Sequence, residues 1–436
     1  MKTSINKQIL SLAIPNILTN LSVPLLSSVD TAVVGHLDQV YYLGAIAIGS
    51  MIFNFIYWGF GFLRMGTTGL TSQAFGQKNE KEISSNLFRS LIFAIAAGIA
   101  LILSQFVIEQ FAFYIINASA EVEKYAKEYF YIRIYAAPAT LAIYVFHGWF
   151  LGLQNARYPM IILITVNVLN IIFNLLFIYQ FDMKSEGVAL GTVVAQYSGL
   201  LISIFLFSRS YRKYLRYFAL TNILDVGKMK RFFKVNSDIF IRTLALVFVF
   251  SFFTAESAIY GDNILAANTI LLQLWIILAY SVDGFAFAAE SLVGKFIGAK
   301  DKLNLILSIK YIFAWGIGLG LFFTILFAFW GDQIISLYTN NETVVSLALS
   351  FLFWAVISQL INSVSFIWDG IFIGATATSA MRNSMLLSTL IVFLPTYFIL
   401  KDSIGNNSLW LALVFFMFAR AIFLTLLAKK NIFNRI

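Results

Sequence analysis

The chain has 436 residues, of which 60% are hydrophobic and 12% are charged, and its mean hydropathy is +0.83. Soluble domains carry about 25% charged residues, so this composition excludes a soluble globular protein. The net charge of +9 would suggest nucleic acid as a partner of a soluble chain. Here the basic residues lie in short loops between apolar segments, so we expect no nucleic-acid partner.

Apolar stretches separated by polar turns divide the chain into twelve segments, and a membrane-spanning helix needs roughly 20 apolar residues. The predicted spans are 8–34, 43–73, 86–113, 124–150, 158–180, 187–208, 232–260, 264–294, 304–330, 343–371, 382–400 and 407–428. The first span has no cleavage site of small residues, which predicts a permanent helix rather than a signal peptide.

The predicted fold is therefore an all-α integral membrane protein with twelve transmembrane helices in two pseudo-symmetric six-helix bundles. We assign residues 1–215 to an N-lobe and residues 232–436 to a C-lobe. Residues 216–231 form a basic cytoplasmic linker between them, which can contact anionic lipid.

The distribution of basic residues predicts the orientation in the membrane. Both termini and the even-numbered loops, counted with the adjoining span ends, hold 22 of the 30 Lys and Arg residues, and the odd-numbered loops, counted in the same way, hold four. By the positive-inside rule both termini are cytoplasmic, in a multi-pass protein of the cell membrane. The other four, Arg64, Arg133, Arg242 and Arg420, lie within spans, where we expect counter-charges rather than substrate ligands. We expect membrane lipids as partners and a monomer.

Two sequence matches at one constant offset indicate an internal repeat. Residues 74–79 (Ala-Phe-Gly-Gln-Lys-Asn) align with residues 296–301 (Phe-Ile-Gly-Ala-Lys-Asp). Residues 148–152 (Gly-Trp-Phe-Leu-Gly) align with residues 370–374 (Gly-Ile-Phe-Ile-Gly). Because each half has an even number of spans, both copies run in the same direction, which is typical of transporters with a substrate site between the halves.

The first span carries a polar stripe. At 100° per residue, Asn16, Asn20, Ser27 and Asp30 lie on one side of an otherwise apolar helix. Ionisable side chains within spans are costly, which makes Asp30 a candidate functional residue. Apolar surroundings favour the protonated carboxyl, so Asp30 can bind a proton. Pro24 removes one backbone hydrogen bond and provides a possible bend.

Three amides share one face of the fifth span. Asn167, Asn170 and Asn174 are spaced i, i+3 and i+7. They can assist Asp30 or line a wet cavity, or they can form hydrogen bonds that only hold helices together. The spacing does not distinguish these alternatives.

In the eighth span, Tyr280, Asp283, Phe287 and Glu290 lie on one face and predict a lined cavity. A bound cation, or pairing with Arg242, would explain the two carboxylates. Two further acids, Glu256 and Asp369, lie near span ends, where snorkelling or capping is the expected role.

Enzyme motifs are absent from the sequence. Gly294 and Lys295 are followed by Phe296 rather than Ser or Thr, so there is no P-loop for ATP. No arrangement of nucleophile and base occurs, and with two histidines and no cysteine a metal centre is not expected. We expect no enzyme and no cofactor.

Five longer runs carry a resemblance to known proteins, at residues 29–37, 63–71, 283–290, 369–376 and 381–385. They resemble the MATE (multidrug and toxic compound extrusion) transporters, specifically their DinF-like branch. The resemblance covers essentially the whole chain. It implies two six-helix lobes around a central cleft and export of small organic, often cationic compounds against an inward flow of protons or sodium ions.

The resemblance also implies roles for individual residues. The family's first-helix aspartate corresponds to Asp30, whose protonation is thought to bend the helix at Pro24 and expel substrate. The family's fifth-helix asparagine and aspartate correspond to Asn170 and Asn174. The amide at Asn174 departs from the pattern, which favours Asp30 as the ion-binding group, with the two amides as neutral ligands.

These observations favour a proton-coupled multidrug exporter. A sodium-coupled antiporter is an alternative, weakened by the missing anionic oxygen at Asn174. The C-lobe acids of the sodium-coupled NorM-like branch correspond to Leu246 and Asn362. A flippase for lipid-linked or amphipathic substrates is a further alternative, although related flippases usually have more than twelve helices.

Overall fold

The computed structural model describes residues 4–34, 39–116 and 118–435, without the side chains of residues 23–34, 40 and 435. Within these residues all regular secondary structure is helical. The chain divides into two compact units. We call Leu18–Phe232 the first unit and Met1–Ile17 with Phe233–Ile436 the second unit.

The first unit contains most of the shorter helices. After α1 (Ile5–Val34), which contributes to both units, they are α2 (Val40–Gly59), α3 (Phe62–Gly76), α4 (Glu80–Leu103), α5 (Gln105–Ile115), α6 (Ala120–Arg133), α7 (Ala137–Gly152), α8 (Arg157–Tyr179), α9 (Ser185–Ser210) and α10 (Leu220–Ile223).

The second unit is built from longer helices, of which the first again contributes to both units. They are α11 (Val226–Ile259), α12 (Asp262–Gly298), α13 (Lys302–Ser336), α14 (Glu342–Gly374), α15 (Thr378–Leu387), α16 (Leu394–Ile404) and α17 (Asn406–Asn431). The predicted lobe boundaries at residues 215 and 232 stay a prediction.

Eleven helical segments of the described residues are long and apolar enough to cross a membrane, and they coincide with predicted spans two to twelve. The first predicted span corresponds to α1. Several spans are broken rather than continuous as predicted. The second breaks at Phe60 and Gly61, the third at Ser104, and the fourth at a 3₁₀ turn before Pro138, whose ring cannot donate a backbone hydrogen bond.

Backbone conformation confirms the internal repeat. A left-handed φ is unusual for residues with a side chain. Lys78 and Lys300, which are equivalent under the offset of the repeat, both have φ 56°. Gln154 and Thr376 are equivalent in the same way and have φ 65° and 48°. The same tight turns therefore follow corresponding helices in both halves.

Close helix packing repeats in the same way. Gly148 lies against the backbone of Arg64, and Gly370 lies against the backbone of Ala286, so a Cβ at either glycine would overlap the neighbouring helix. The offset of the repeat relates both members of the second pair to the first pair. Small residues at helix contacts let backbones approach closely inside a membrane, where packing drives association.

The linker is bound to the N-terminal part of α4. Arg89 is buried and donates from Nε to the carbonyl of Ile223 over 2.9 Å and from Nη2 to the carbonyl of Asn222 over 3.0 Å. Ser84 Oγ donates to the carbonyl of Tyr214 over 2.9 Å. These bonds satisfy backbone acceptors of the 3₁₀ turn Arg212–Tyr217 and of α10, so the linker is an ordered part of the first unit.

Charged side chains reinforce this attachment. Lys213 Nζ donates to Glu80 over 2.6 Å, and Arg216 and Tyr217 donate to the same carboxylate. The hydrogen bond to Glu80 raises the pKa of Lys213 above its usual range. The linker ends where the Asp225 carboxylate accepts a bond from the Lys228 amide and caps α11, which therefore begins inside the predicted linker.

Candidate functional site

The amides of the fifth span form a connected ladder between α8 and α9. Asn174 Nδ2 donates to Asn170 Oδ1 over 3.2 Å, and Asn170 Nδ2 donates to Thr192 Oγ1 over 3.0 Å. Asn174 is 1% exposed, and Gly191 provides its space, because a Cβ there would overlap Asn174 Oδ1. The spacing of the asparagines predicted their common face, whereas Thr192 and Gly191 were not predicted.

The third amide connects α8 to the first helix. Asn167 Nδ2 donates to the Oγ of Ser22 over 3.2 Å. Of the predicted stripe on α1, Asn16 is buried and donates to the Leu12 carbonyl of its own helix over 2.7 Å, and Asn20 is half-buried. Asn16 of the stripe thus bonds to its own helix, whereas the bond to α8 comes from Ser22, which the stripe did not include.

The remaining residues of that stripe lie outside the described side chains. Helix α1 includes Pro24, Ser27 and Asp30. Their predicted roles, a bend at Pro24 and ion binding at Asp30, stay predictions.

The predicted face of α12 is partly accessible. Between Ser281 and Gly294, Asp283 and Phe287 are half-buried while every other residue is buried. Tyr280, one turn earlier, is also half-buried. Glu290 shares the face but is 1% exposed. The accessible strip therefore combines one carboxylate with two aromatic rings.

The structure corrects the expected partner of Arg242 and the expected role of Asp369. Arg242 pairs with Asp369 on α14, and Arg420 Nη2 on α17 donates to the same carboxylate oxygen over 2.6 Å. All three side chains are buried, so Asp369 neither snorkels nor caps a helix. A buried carboxylate needs paired charges, and two arginines from distant parts of the chain supply them.

The other acids and arginines have different surroundings. Glu256, near the end of α11, accepts a hydrogen bond of 2.5 Å from the hydroxyl of Tyr397 on α16. Arg133 donates to the hydroxyl of Ser50 over 3.0 Å and to that of Tyr129. Among the described residues no group of three His, Cys, Asp or Glu side chains is placed to hold a metal ion.

Comparison with known proteins agrees with this architecture. The family model described as MatE matches residues 15–176 and 239–398, one match in each half of the repeat. DNA damage-inducible protein F of Escherichia coli (strain K12) is 36% identical over 433 residues, which cover 98% of this chain and 93% of that protein. A probable multidrug resistance protein NorM of Photorhabdus laumondii is 25% identical over 436 residues, or 97% of this chain and 95% of the relative.

Solved structures show the same fold. A crystal structure of MATE in the bent conformation matches with a TM-score of 0.90 at 18% identity, over 99% of this chain and 96% of that one. The Vibrio cholerae MATE transporter VcmN in the bent form matches with a TM-score of 0.89 at 17% identity, over 99% and 98%. The chain therefore belongs to the MATE family of multidrug and toxic compound efflux transporters, which are multi-pass membrane proteins and not enzymes.

Proposed function

We propose that this chain is a secondary exporter that drives efflux of small organic compounds by the inward movement of protons through alternating access. Asp30 binds the proton, and Pro24 permits the accompanying bend of α1. The observation that carries the proposal is the neutral ladder of Asn174, Asn170 and Thr192. Hard metal cations prefer several oxygen ligands including carboxylates, so an amide ladder favours a proton over a sodium ion as the coupling ion.

The substrate class follows from the accessible strip of α12. Asp283 offers a negative charge, and Tyr280 and Phe287 offer aromatic faces on the same side of the helix. Organic cations are attracted both to carboxylates and to the faces of aromatic rings. Cationic or amphipathic compounds are therefore the proposed substrates. Further proposed cavity residues are Asn16, Asn20, Ser27, Asn167 and the buried Glu290.

Ethidium uptake into inverted membrane vesicles tests the coupling ion and Asp30. We expect uptake by the unmodified protein under an imposed proton gradient and not under a sodium gradient. Asp30→Asn keeps the size of the side chain but cannot release a proton, so coupled uptake should fall at least tenfold. Asp332→Asn, at an exposed aspartate near the end of α13, is the matched control and should transport normally.

The outcomes of this experiment distinguish the proposed function from its alternatives. Undiminished uptake by Asp30→Asn would overturn the assignment of Asp30. Uptake driven by sodium would favour a sodium-coupled antiporter with its ion near Asn170 and Asn174. No uptake under either gradient, with the protein present in the membrane, would favour a flippase for lipid-linked or amphipathic substrates.

We further propose a monomer in the bacterial plasma membrane with both termini in the cytoplasm, surrounded by lipid. The excess of basic residues in the termini and even-numbered loops supports this orientation. Large exposed apolar side chains support the lipid contact, such as those of Leu201, Phe329 and Leu426.

A further inference from the structure

A buried aspartate on α11 is held by three side chains of α15. Arg382 Nη1 lies 2.5 Å from Asp238 Oδ1, and Thr378 and Ser379 donate to Oδ2 over 3.0 and 2.7 Å. Asp238 is 2% exposed. Both carboxylate oxygens are therefore satisfied by one neighbouring helix.

One helical turn later, Arg242 joins the same face of α11 to two more helices. It pairs with Asp369 of α14, which also binds Arg420 of α17. Residues four apart lie on one side of a helix. We call Asp238, Arg242, Asp369, Arg382 and Arg420 the α11 clamp. It connects two successive turns of α11 to α14, α15 and α17 through charged bonds.

The first half of the chain has no such charges at the corresponding positions. The offset of the repeat places Asp238 and Arg242 on Asn16 and Asn20 of α1. Asn16 bonds to its own helix rather than to a neighbour. The two helices also differ further along, because Pro24 of α1 corresponds to Leu246 and α11 contains no proline. Sharp kinks in helices occur almost always at prolines or comparable interruptions.

We propose that the residues of the α11 clamp are positioning residues of the transport cycle. They hold α11 rigidly against its own bundle, so that bending of a first helix is confined to α1. This inference rests on the proposed transport by alternating access. It makes the two homologous halves unequal, with one movable helix and one static helix.

Distance measurements between spin labels test this directly, because the chain has no cysteine and labelling sites can be introduced singly. Phe248→Cys with Phe353→Cys reports on α11 against α14, at two exposed side chains of the second unit. Val33→Cys with Ile172→Cys reports on the part of α1 after Pro24. The protein is reconstituted in lipid nanodiscs and measured at pH 5 and pH 8, with and without ethidium.

We expect one unchanged distance for the α11 pair under all conditions and a shifted distance for the α1 pair. In Arg242→Gln/Asp369→Asn, and separately in Asp238→Asn/Arg382→Gln, the α11 pair should gain a second population, and proton-driven ethidium uptake should fall at least tenfold. The swap Asp238→Arg/Arg382→Asp should restore the single population. Ser365→Ala is the control, since it removes a buried hydrogen bond to Met417 between α14 and α17 outside the clamp.

Two results would overturn the clamp: an α11 distance that changes with pH or ethidium in the unmodified protein, or a single unchanged population in both neutralised variants. If one neutralised variant fails to fold, the other decides. The distance readout does not need transport. Suppose that ethidium uptake is absent, that the α11 distance stays constant in the unmodified protein, and that the neutralised variants show a second distance population. That combination would contradict the proposed function and still support the clamp.

Discussion

At the scale of single residues, the described part of the candidate site is a set of neutral side chains that bond to one another. Asn170 and Asn174 of α8 are joined to each other and to Thr192 by hydrogen bonds of 3.2 and 3.0 Å between neutral groups. Buried networks of this kind tolerate little displacement, because a polar group that loses its partner keeps its desolvation cost.

The space for this network comes from Gly191, and this can be tested by adding a single methyl group. In Gly191→Ala the new Cβ would overlap Asn174 Oδ1 and lie 3.1 Å from Asn174 N. Overpacking of this kind costs about 1–3 kcal/mol. We expect ethidium uptake to fall about tenfold and the thermal unfolding midpoint in detergent to decrease.

The matched control is Gly318→Ala on α13, where a Cβ would have no heavy atom within 4 Å. Alanine is the better helix former, so this variant should be as stable as the unmodified protein or slightly more so. Equal uptake by Gly191→Ala and Gly318→Ala would show that the ladder does not need its present geometry.

At the scale of elements, the linker between the repeats is held by specific bonds rather than being a free tether. The single side chain of Arg89 donates to two backbone carbonyls of the linker. Its Nη1 also donates to Asn86 Oδ1 on the same helix over 3.1 Å. A hydrogen bond to a charged group contributes about 1.5–3 kcal/mol, so this one side chain accounts for much of the attachment.

Replacing that side chain should loosen the linker. In Arg89→Met the carbonyls of Asn222 and Ile223 lose their donors, and a local loss of about 1.4 kcal/mol corresponds to tenfold more opening. We expect limited trypsin digestion within residues 211–231 to be at least tenfold faster. Arg157→Met, at the exposed start of α8, serves as control. Unchanged digestion of Arg89→Met would contradict the role of Arg89.

At the scale of the whole molecule, the placement of positive charge predicts which loops face the cytoplasm. Asp182, in the loop between α8 and α9, has a side chain that is 91% exposed. Lys81 is exposed in the first turn of α4, next to the loop that follows the second span. The positive-inside rule places these two loops on opposite sides of the membrane.

Single cysteines at these positions provide the test in intact cells. A membrane-impermeant maleimide should label Asp182→Cys directly and Lys81→Cys only after the cells are permeabilised. The reverse pattern would show that both termini lie outside the cytoplasm. Labelling of both variants before permeabilisation would contradict a single orientation.

The sequence by itself determined the membrane spans, the repeat and the family. A bilayer demands long apolar segments, and a tight turn leaves a recognisable motif such as Gly76 to Asn79, so these features are local in the chain. The common face of Asn170 and Asn174 is also local, because it follows from helical periodicity.

Only the tertiary structure decided which distant residues meet. Asp369 and Arg420 are 51 residues apart, and Asp238 and Arg382 are 144 apart, so no periodicity connects them. The breaks within spans and the docking of the linker likewise depend on contacts between helices. The sequence places a buried charge in a span, but which partner compensates its desolvation depends on how the helices pack.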